Sequence, residues 1–91
     1  MEIQINQVNK DKFKVFIEGK INTYHLVTLN DYTYKNITNG KKTKEELILY
    51  SFKFLLKKES NTSILSEFEL ETINNYFPEY ELNIKNWLNL N

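Results

Sequence analysis

His25 is the only histidine in the chain, and imidazole is the side chain best suited to act as a general base near neutral pH. A catalytic histidine needs a partner that orients it, but no Asp or Glu lies within four residues on either side. The neighbouring Tyr, Leu, Val and Thr residues are typical of a strand. We therefore interpret His25 as structural, and we predict no catalytic residue and no enzymatic activity.

Carboxylates are dense in the last third of the chain, where they could form an acid–base pair or bind a metal. They are Glu67, Glu69, Glu71, Glu79 and Glu81. On a helix, Glu67 and Glu71 would share a face and repel each other, although acidic residues are favoured in a first helical turn. One imidazole with scattered carboxylates and no cysteine would hold a metal only weakly. We predict no metal site and no cofactor.

The segment Asn39-Gly-Lys-Lys-Thr43 partly matches the end of a phosphate-binding loop, which reads G-x-x-x-x-G-K followed by Ser or Thr. Lys35 stands where the first glycine belongs, and Lys42 intervenes before the threonine. We interpret the segment as an ordinary loop that leads into a capped helix.

Several lysines form a candidate basic patch around the segment that follows this loop. They are Lys41, Lys42, Lys44, Lys53 and Lys57. Lysines beside aromatic rings can bind single-stranded nucleic acid by attracting phosphates and stacking bases. However, the isoelectric point of about 6.6 is not basic, and no RNA-binding signature is present. Weak nucleic-acid binding is therefore the alternative hypothesis rather than the first.

The composition favours one globular domain over residues 1–91, with 41% hydrophobic residues, a net charge of zero and no cysteine. The charge is uneven: residues 1–58 hold eleven Lys against six acidic residues, and residues 59–91 hold one Lys against six. The first residues lack a basic start followed by an apolar run, and the apolar run at residues 47–56 is too short to span a bilayer. We expect a cytoplasmic protein without a membrane segment.

Alternating apolar residues predict three strands within residues 1–29, joined as an antiparallel meander. Gly19-Lys20 could form a two-residue turn, which would place Val15 opposite Tyr24 and Phe13 opposite Leu26 on the core face. The opposite face would carry Lys14, Phe16, His25, Val27 and Leu29. That face is more apolar than a fully solvated one should be.

Three helices are predicted after the strands, at residues 43–58, 66–77 and 79–90, with a short helical turn before them that ends near Gly40. Thr43 with Glu46, and Ser66 with Glu69, have the spacing of capping boxes. The central helix carries large apolar residues in nearly every direction, so it must be covered on more than one side. The element order indicates the α+β class: a three-stranded antiparallel meander followed by two to three helices packed on one face.

From the central helix onward, the chain resembles a family of short, functionally uncharacterised bacterial proteins. The matching residues are Ser51-Phe52, Phe54-Leu55-Leu56, Glu59, Ser63-Ile64-Leu65, Phe68, Leu70, Ile73 and Tyr76-Phe77-Pro78-Glu79-Tyr80. The family has a proline where this chain has Ser60, and it ends soon after Tyr80, so residues 82–91 resemble an extension. The resemblance implies a bacterial single-domain protein and no particular activity.

Aromatic residues are numerous for so small a core, and rings are preferred anchors of protein interfaces. We therefore predict a protein that acts through an interface with a protein partner or with a second copy as a homodimer. The candidate interface residues are Phe16, Val27, Leu29, Tyr80 and Trp87.

Overall fold

Four strands and four α-helices form the described part of the chain, residues 2–89 of a computed structural model. The strands are β1 (Ile3–Gln7), β2 (Lys12–Ile17), β3 (Thr23–Thr28) and β4 (Glu67–Glu69). The helices are α1 (Asp31–Thr38), α2 (Lys44–Lys58), α3 (Ile73–Tyr76) and α4 (Tyr80–Asn89), with short 3-10 turns at Asn61–Ser63 and Leu70–Thr72. The α+β class is confirmed.

The sheet has the order β1-β2-β3-β4, and the first three strands are antiparallel as predicted. The fourth strand pairs parallel to β3, so the sheet is mixed and the prediction of three antiparallel strands alone is wrong. The predicted helix at 66–77 is also wrong, because this segment contains β4, a 3-10 turn and only the short α3. The N–H of Leu26 donates to the Ser66 carbonyl at 2.8 Å, and Phe68 packs against Phe52. These long-range contacts override a local capping signal.

The register between β2 and β3 differs from the predicted one by a single residue. Val15 lies opposite His25, and Phe13 lies opposite Val27. The connection is longer than a two-residue turn, Gly19 does not have a positive φ, and its N–H donates to Asn22 Oδ1 at 3.2 Å. A shift of one residue turns every side chain of a strand to the other face. His25 and Val27 consequently face the core.

Helix α2 is covered on two sides, as its composition predicted. Its apolar residues pack against the sheet residues Phe13, Val15 and Ile17 within one core cluster. On another side, Ser51 and Phe54 contact Tyr80 at the start of α4. The helix begins at a capping box in which the N–H of Glu46 donates to Thr43 Oγ1 and the N–H of Thr43 donates to Glu46 Oε1.

Replacing the helix cap, Thr43→Ala, should lower the free energy of unfolding by about 1 kcal/mol, because one N–H at the helix start loses its acceptor. Urea denaturation measures the change. Thr43→Ser is the matched control, since serine keeps the hydroxyl and should stay close to the wild type. Equal losses for the two variants would argue against the cap.

Helix α4 spans Tyr80–Asn89, close to the predicted range of 79–90, whose last residue lies outside the described part. Tyr80, Ile84 and Leu88 are buried on one face, at helical spacing. Trp87 stacks on Tyr50 of α2, with ring centroids 4.4 Å apart and planes 11° from parallel. The segment that resembled an extension therefore covers α2 as far as Asn89.

Candidate functional site

His25 is buried on the core side of β3, where both ring nitrogens have structural partners. Its Nδ1 lies 2.7 Å from the Leu65 carbonyl, which can only accept, so Nδ1 carries the hydrogen. In the neutral ring Nε2 then accepts from Thr23 Oγ1 at 2.9 Å. The ring also packs against Phe52 at 5.5 Å. No hydrogen bond between described residues joins His25 to a carboxylate, so the geometry holds β4 in place rather than forming an acid–base pair.

Asn61 extends this polar network from the opposite side. It is 4% exposed, and its Nδ2 donates to the Ile21 carbonyl at 2.8 Å and to Thr23 Oγ1 at 2.9 Å. No sequence pattern indicated this role, because Asn61 stands in a polar loop of an Asn-rich chain. The network connects the start of β3 with Asn61 on one side of Ile64 and with Leu65 on the other.

The variant His25→Phe keeps a ring beside Phe52 but removes both hydrogen bonds, so we expect it to lose about 1–3 kcal/mol of stability. Amide hydrogen exchange should quicken most at Leu26, whose N–H donates to the Ser66 carbonyl. The Glu18 N–H, which donates to the Glu2 carbonyl at the other sheet edge, serves as the internal reference. Uniform acceleration at both amides would contradict a local role.

The dense carboxylates do not converge. Glu67 and Glu69 lie on a strand rather than a helix, so the expected repulsive helix face with Glu71 does not form. Glu79 contacts Lys58 at 2.9 Å, and the hydrogen bond from this lysine lowers the pKa of Glu79. Among residues 2–89, no group of three or more His, Cys, Asp or Glu side chains could hold a metal ion.

The candidate basic patch is divided by the structure. Lys44 has a 12% exposed side chain and contacts Asp31 at 2.8 Å, and hydrogen bonds from Lys44 and Lys10 lower the pKa of Asp31. Lys42 lies over the Trp87 ring at 5.2 Å. The exposed Lys53 and Lys57 lie along α2, whose rise places Lys57 roughly 20 Å from Lys44. The lysines therefore do not form one continuous surface.

Three of the predicted interface residues belong to the core. Val27 and Leu29 are 0% exposed because the register turns them inward, and Tyr80 is 1% exposed because it packs against α2. Placing these three at a surface is therefore wrong. Phe16 is half-buried on the outer side of the sheet, and Trp87 is half-buried against Tyr50.

The side of the sheet opposite the core, which we call the outer sheet face, carries the aromatic surface of most interest. Tyr24 is 59% exposed, and its ring contacts Phe16 across the β2–β3 pair at 5.0 Å. The Lys14 ammonium lies 5.2 Å from the centre of the Tyr24 ring. Half-buried Leu26 continues the apolar surface along β3. The sequence missed Tyr24 and Leu26 here because the predicted register turned them inward.

Charges flank this apolar strip on both sides. Lys12 and Lys14 lie on β2, and the exposed Glu67 and Glu69 lie on β4, with β3 between them. Within residues 2–89, none of these four side chains forms an ion pair with another side chain. The outer sheet face thus runs from positive to negative across an aromatic centre.

A second apolar surface lies beside β4 and α3. It is a cavity of about 140 Å³ whose lining includes Leu55, Ile64, Leu65, Phe68, Ile73 and Phe77. Pockets for metabolite-sized ligands are usually about 300–1,000 Å³, so this one has room for a single apolar side chain.

No helix in residues 2–89 has both the length and the apolar character needed to cross a bilayer.

Comparisons with known proteins do not assign this site. Searches with family models, against curated proteins and against solved structures find no match to the chain.

Proposed function

We propose that the protein is a non-enzymatic cytoplasmic binding module that acts through a protein–protein interface on the outer sheet face. The observation that carries the proposal is the exposed Tyr24 ring, packed on Phe16 and flanked by Lys14. Tyrosine is enriched at interface centres because it buries a large ring at a small entropic cost. We also propose a bacterial origin, because the chain resembles uncharacterised bacterial proteins. This resemblance implies no particular activity.

The assignment of a binding role over an enzymatic one rests on the surroundings of the candidate catalytic groups. Both nitrogens of His25 have structural partners, and the ring is almost fully buried. A general base must reach the proton that it removes, and both nitrogens already form hydrogen bonds within the fold. These observations favour binding without chemistry.

The alternative, weak nucleic-acid binding through the lysines around α2, has less support. Lys44 and Lys58 are each engaged by an acidic residue, Asp31 and Glu79 respectively. The outer sheet face offers rings for base stacking, but Glu67 and Glu69 on the same face would repel phosphates. A protein partner whose surface carries both positive and negative charges matches the outer sheet face better than a nucleic acid does.

The test is affinity capture from native cytoplasm after chemical cross-linking, which also retains weak complexes, with three forms of the tagged protein. We expect Tyr24→Ser to reduce recovery of a specific protein partner at least tenfold relative to wild type. The control Tyr32→Ser removes a ring that is 77% exposed on α1 and should leave recovery unchanged. Equal recovery by wild type and Tyr24→Ser would contradict the proposal, and recovery abolished by nuclease treatment would favour the nucleic-acid alternative.

A further inference from the structure

We propose that the partner of the outer sheet face is a second copy of this chain, related to the first by a two-fold axis that runs along β3. This inference rests on the proposed function and adds the identity of the partner and the geometry of the contact. It is carried by the positions of four charges relative to β3.

The strand pairing arranges these charges in two rows across the sheet. Lys14 pairs with Leu26, and Leu26 pairs with Glu67. One step along the face, Lys12 pairs with Thr28, and Thr28 pairs with Glu69. Each row therefore has a lysine on β2, a neutral residue on β3 and a glutamate on β4. The sign of the charge changes at the same strand in both rows.

A two-fold axis along β3, between two facing sheets, exchanges the two sides of β3 but keeps each row at its own height. It brings Lys14 over the partner's Glu67 and Lys12 over the partner's Glu69, and each contact occurs twice. The β3 strands then face each other, so that Leu26 and the Tyr24 rings meet at the centre. Facing sheets in proteins keep their strand directions within about 30°, which this arrangement allows.

The other two-fold axis in the plane, perpendicular to the strands, gives the opposite result. It keeps β2 over the partner's β2 and β4 over the partner's β4, and so sets lysines against lysines and glutamates against glutamates. Like charges that face each other across an interface repel and so disfavour that binding mode. The charge pattern therefore selects the axis parallel to β3.

The size of the face predicts a weak dimer. The four strands have 5, 6, 6 and 3 residues, and spacings of about 4.8 Å between strands and about 3.3 Å per residue give a planar area on the order of 300 Å² per copy. Stable interfaces usually bury about 800 Å² per partner, so we expect a dissociation constant on the order of 100 µM. Charge pairs at an exposed interface are screened by salt, and added salt should weaken the dimer further.

Sedimentation equilibrium up to about 1 mM protein, with charge-reversed variants of the full chain, tests the geometry at concentrations above the expected dissociation constant. Lys14→Glu should weaken dimerisation at least tenfold because it sets glutamate against Glu67, and Glu67→Lys should do the same with two lysines. An equimolar mixture of the two variants should recover dimers within about threefold of wild type, since the mixed pair has both contacts with opposite charges. The double variant K14E/E67K should also recover.

The exposed Lys53 on α2 provides the matched control, because Lys53→Glu changes the net charge equally at a site far from the outer sheet face. It should leave the dimer unchanged, and thermal unfolding of each variant verifies that the fold is retained. Single variants that weaken a dimer which neither the mixture nor the double variant restores would overturn the axis. A wild type that stays monomeric at 1 mM would overturn the second copy as partner. Loss of capture in Tyr24→Ser would still support the proposed interface in that case.

Discussion

Replacing Tyr80 with alanine should lower the free energy of unfolding by about 3–5 kcal/mol, a large part of the roughly 5–14 kcal/mol expected for a domain of this length. Tyr80 is 1% exposed and packs its ring 5.3 Å from that of Phe54. Its hydroxyl meets Ser51, whose own hydrogen is donated to the Leu47 carbonyl at 2.7 Å, so Tyr80 is the donor to Ser51. The alanine variant loses this contact and leaves a cavity between α2 and α4.

The variant Tyr80→Phe separates the ring from the hydroxyl and should lose only about 1 kcal/mol, because Ser51 keeps its bond to Leu47. Chemical denaturation of the three proteins measures both effects. If Tyr80→Phe destabilised as strongly as Tyr80→Ala, the hydrogen bond rather than the packing would dominate.

Wild type and Tyr80→Phe should also differ in how their stability changes at alkaline pH. Burial raises the pKa of Tyr80, so above pH 10 the unfolded chain releases a proton that the folded chain keeps. Stability contributed by this group is therefore complete below about pH 10 and falls as the pH rises beyond it, at about 1.4 kcal/mol per pH unit. Stability curves between pH 8 and pH 11 should be less steep for Tyr80→Phe than for wild type.

Replacing Asn61 with aspartate should lower stability by about 3 kcal/mol at neutral pH, although the side chain keeps nearly the same shape. The amide nitrogen donates to the Ile21 carbonyl and to Thr23 Oγ1, and a carboxylate oxygen in that place can only accept. It would also carry a nearly buried charge without a partner. Urea denaturation at pH 7 measures the loss.

Acid should partly rescue this variant. In the folded state the pKa of the new carboxyl would be raised, so its destabilising effect is lost as the pH falls and the group becomes protonated and regains one donor. The difference from wild type should therefore shrink between pH 7 and pH 4. The control Asn75→Asp places the same change at an exposed position on α3 and should cost little at either pH. A loss independent of pH would show that the buried negative charge is not its cause.

The alternation of apolar residues predicted the first three strands well but could not fix their register. Both candidate registers place large side chains opposite Val15 and Phe13, because β3 carries large side chains on both faces. The difference between Tyr24 and His25 as the neighbour of Val15 depends on the length of the turn around Gly19. That length follows from local contacts such as the Asn22 side chain on Gly19, which composition does not reveal.

Strand β4 could not be predicted from its own residues. Ser66 and Glu69 have the spacing of a helix cap, and this local signal contains nothing about β3. These two errors kept part of the candidate site out of the sequence prediction. Phe16 was identified, but placing Tyr24 on the outer sheet face requires the correct register, and placing Glu67 there requires the fourth strand. Asn61 illustrates the limit most clearly, because only the fold brings it beside Ile21.

The long separation between β4 and its neighbours has a consequence for the order of folding. The bonds from His25 to Leu65 and from Asn61 to Ile21 each join residues 40 positions apart, whereas β1, β2 and β3 follow one another along the chain. Closing the larger loop costs more entropy, so we expect the meander to form before β4 attaches. Glu67 and Glu69 then reach the outer sheet face only in the last step, and partly folded chains present lysines without the glutamates that would pair with them. Such chains would repel one another across this face, so that the charge pattern would also protect the protein from premature association while it folds.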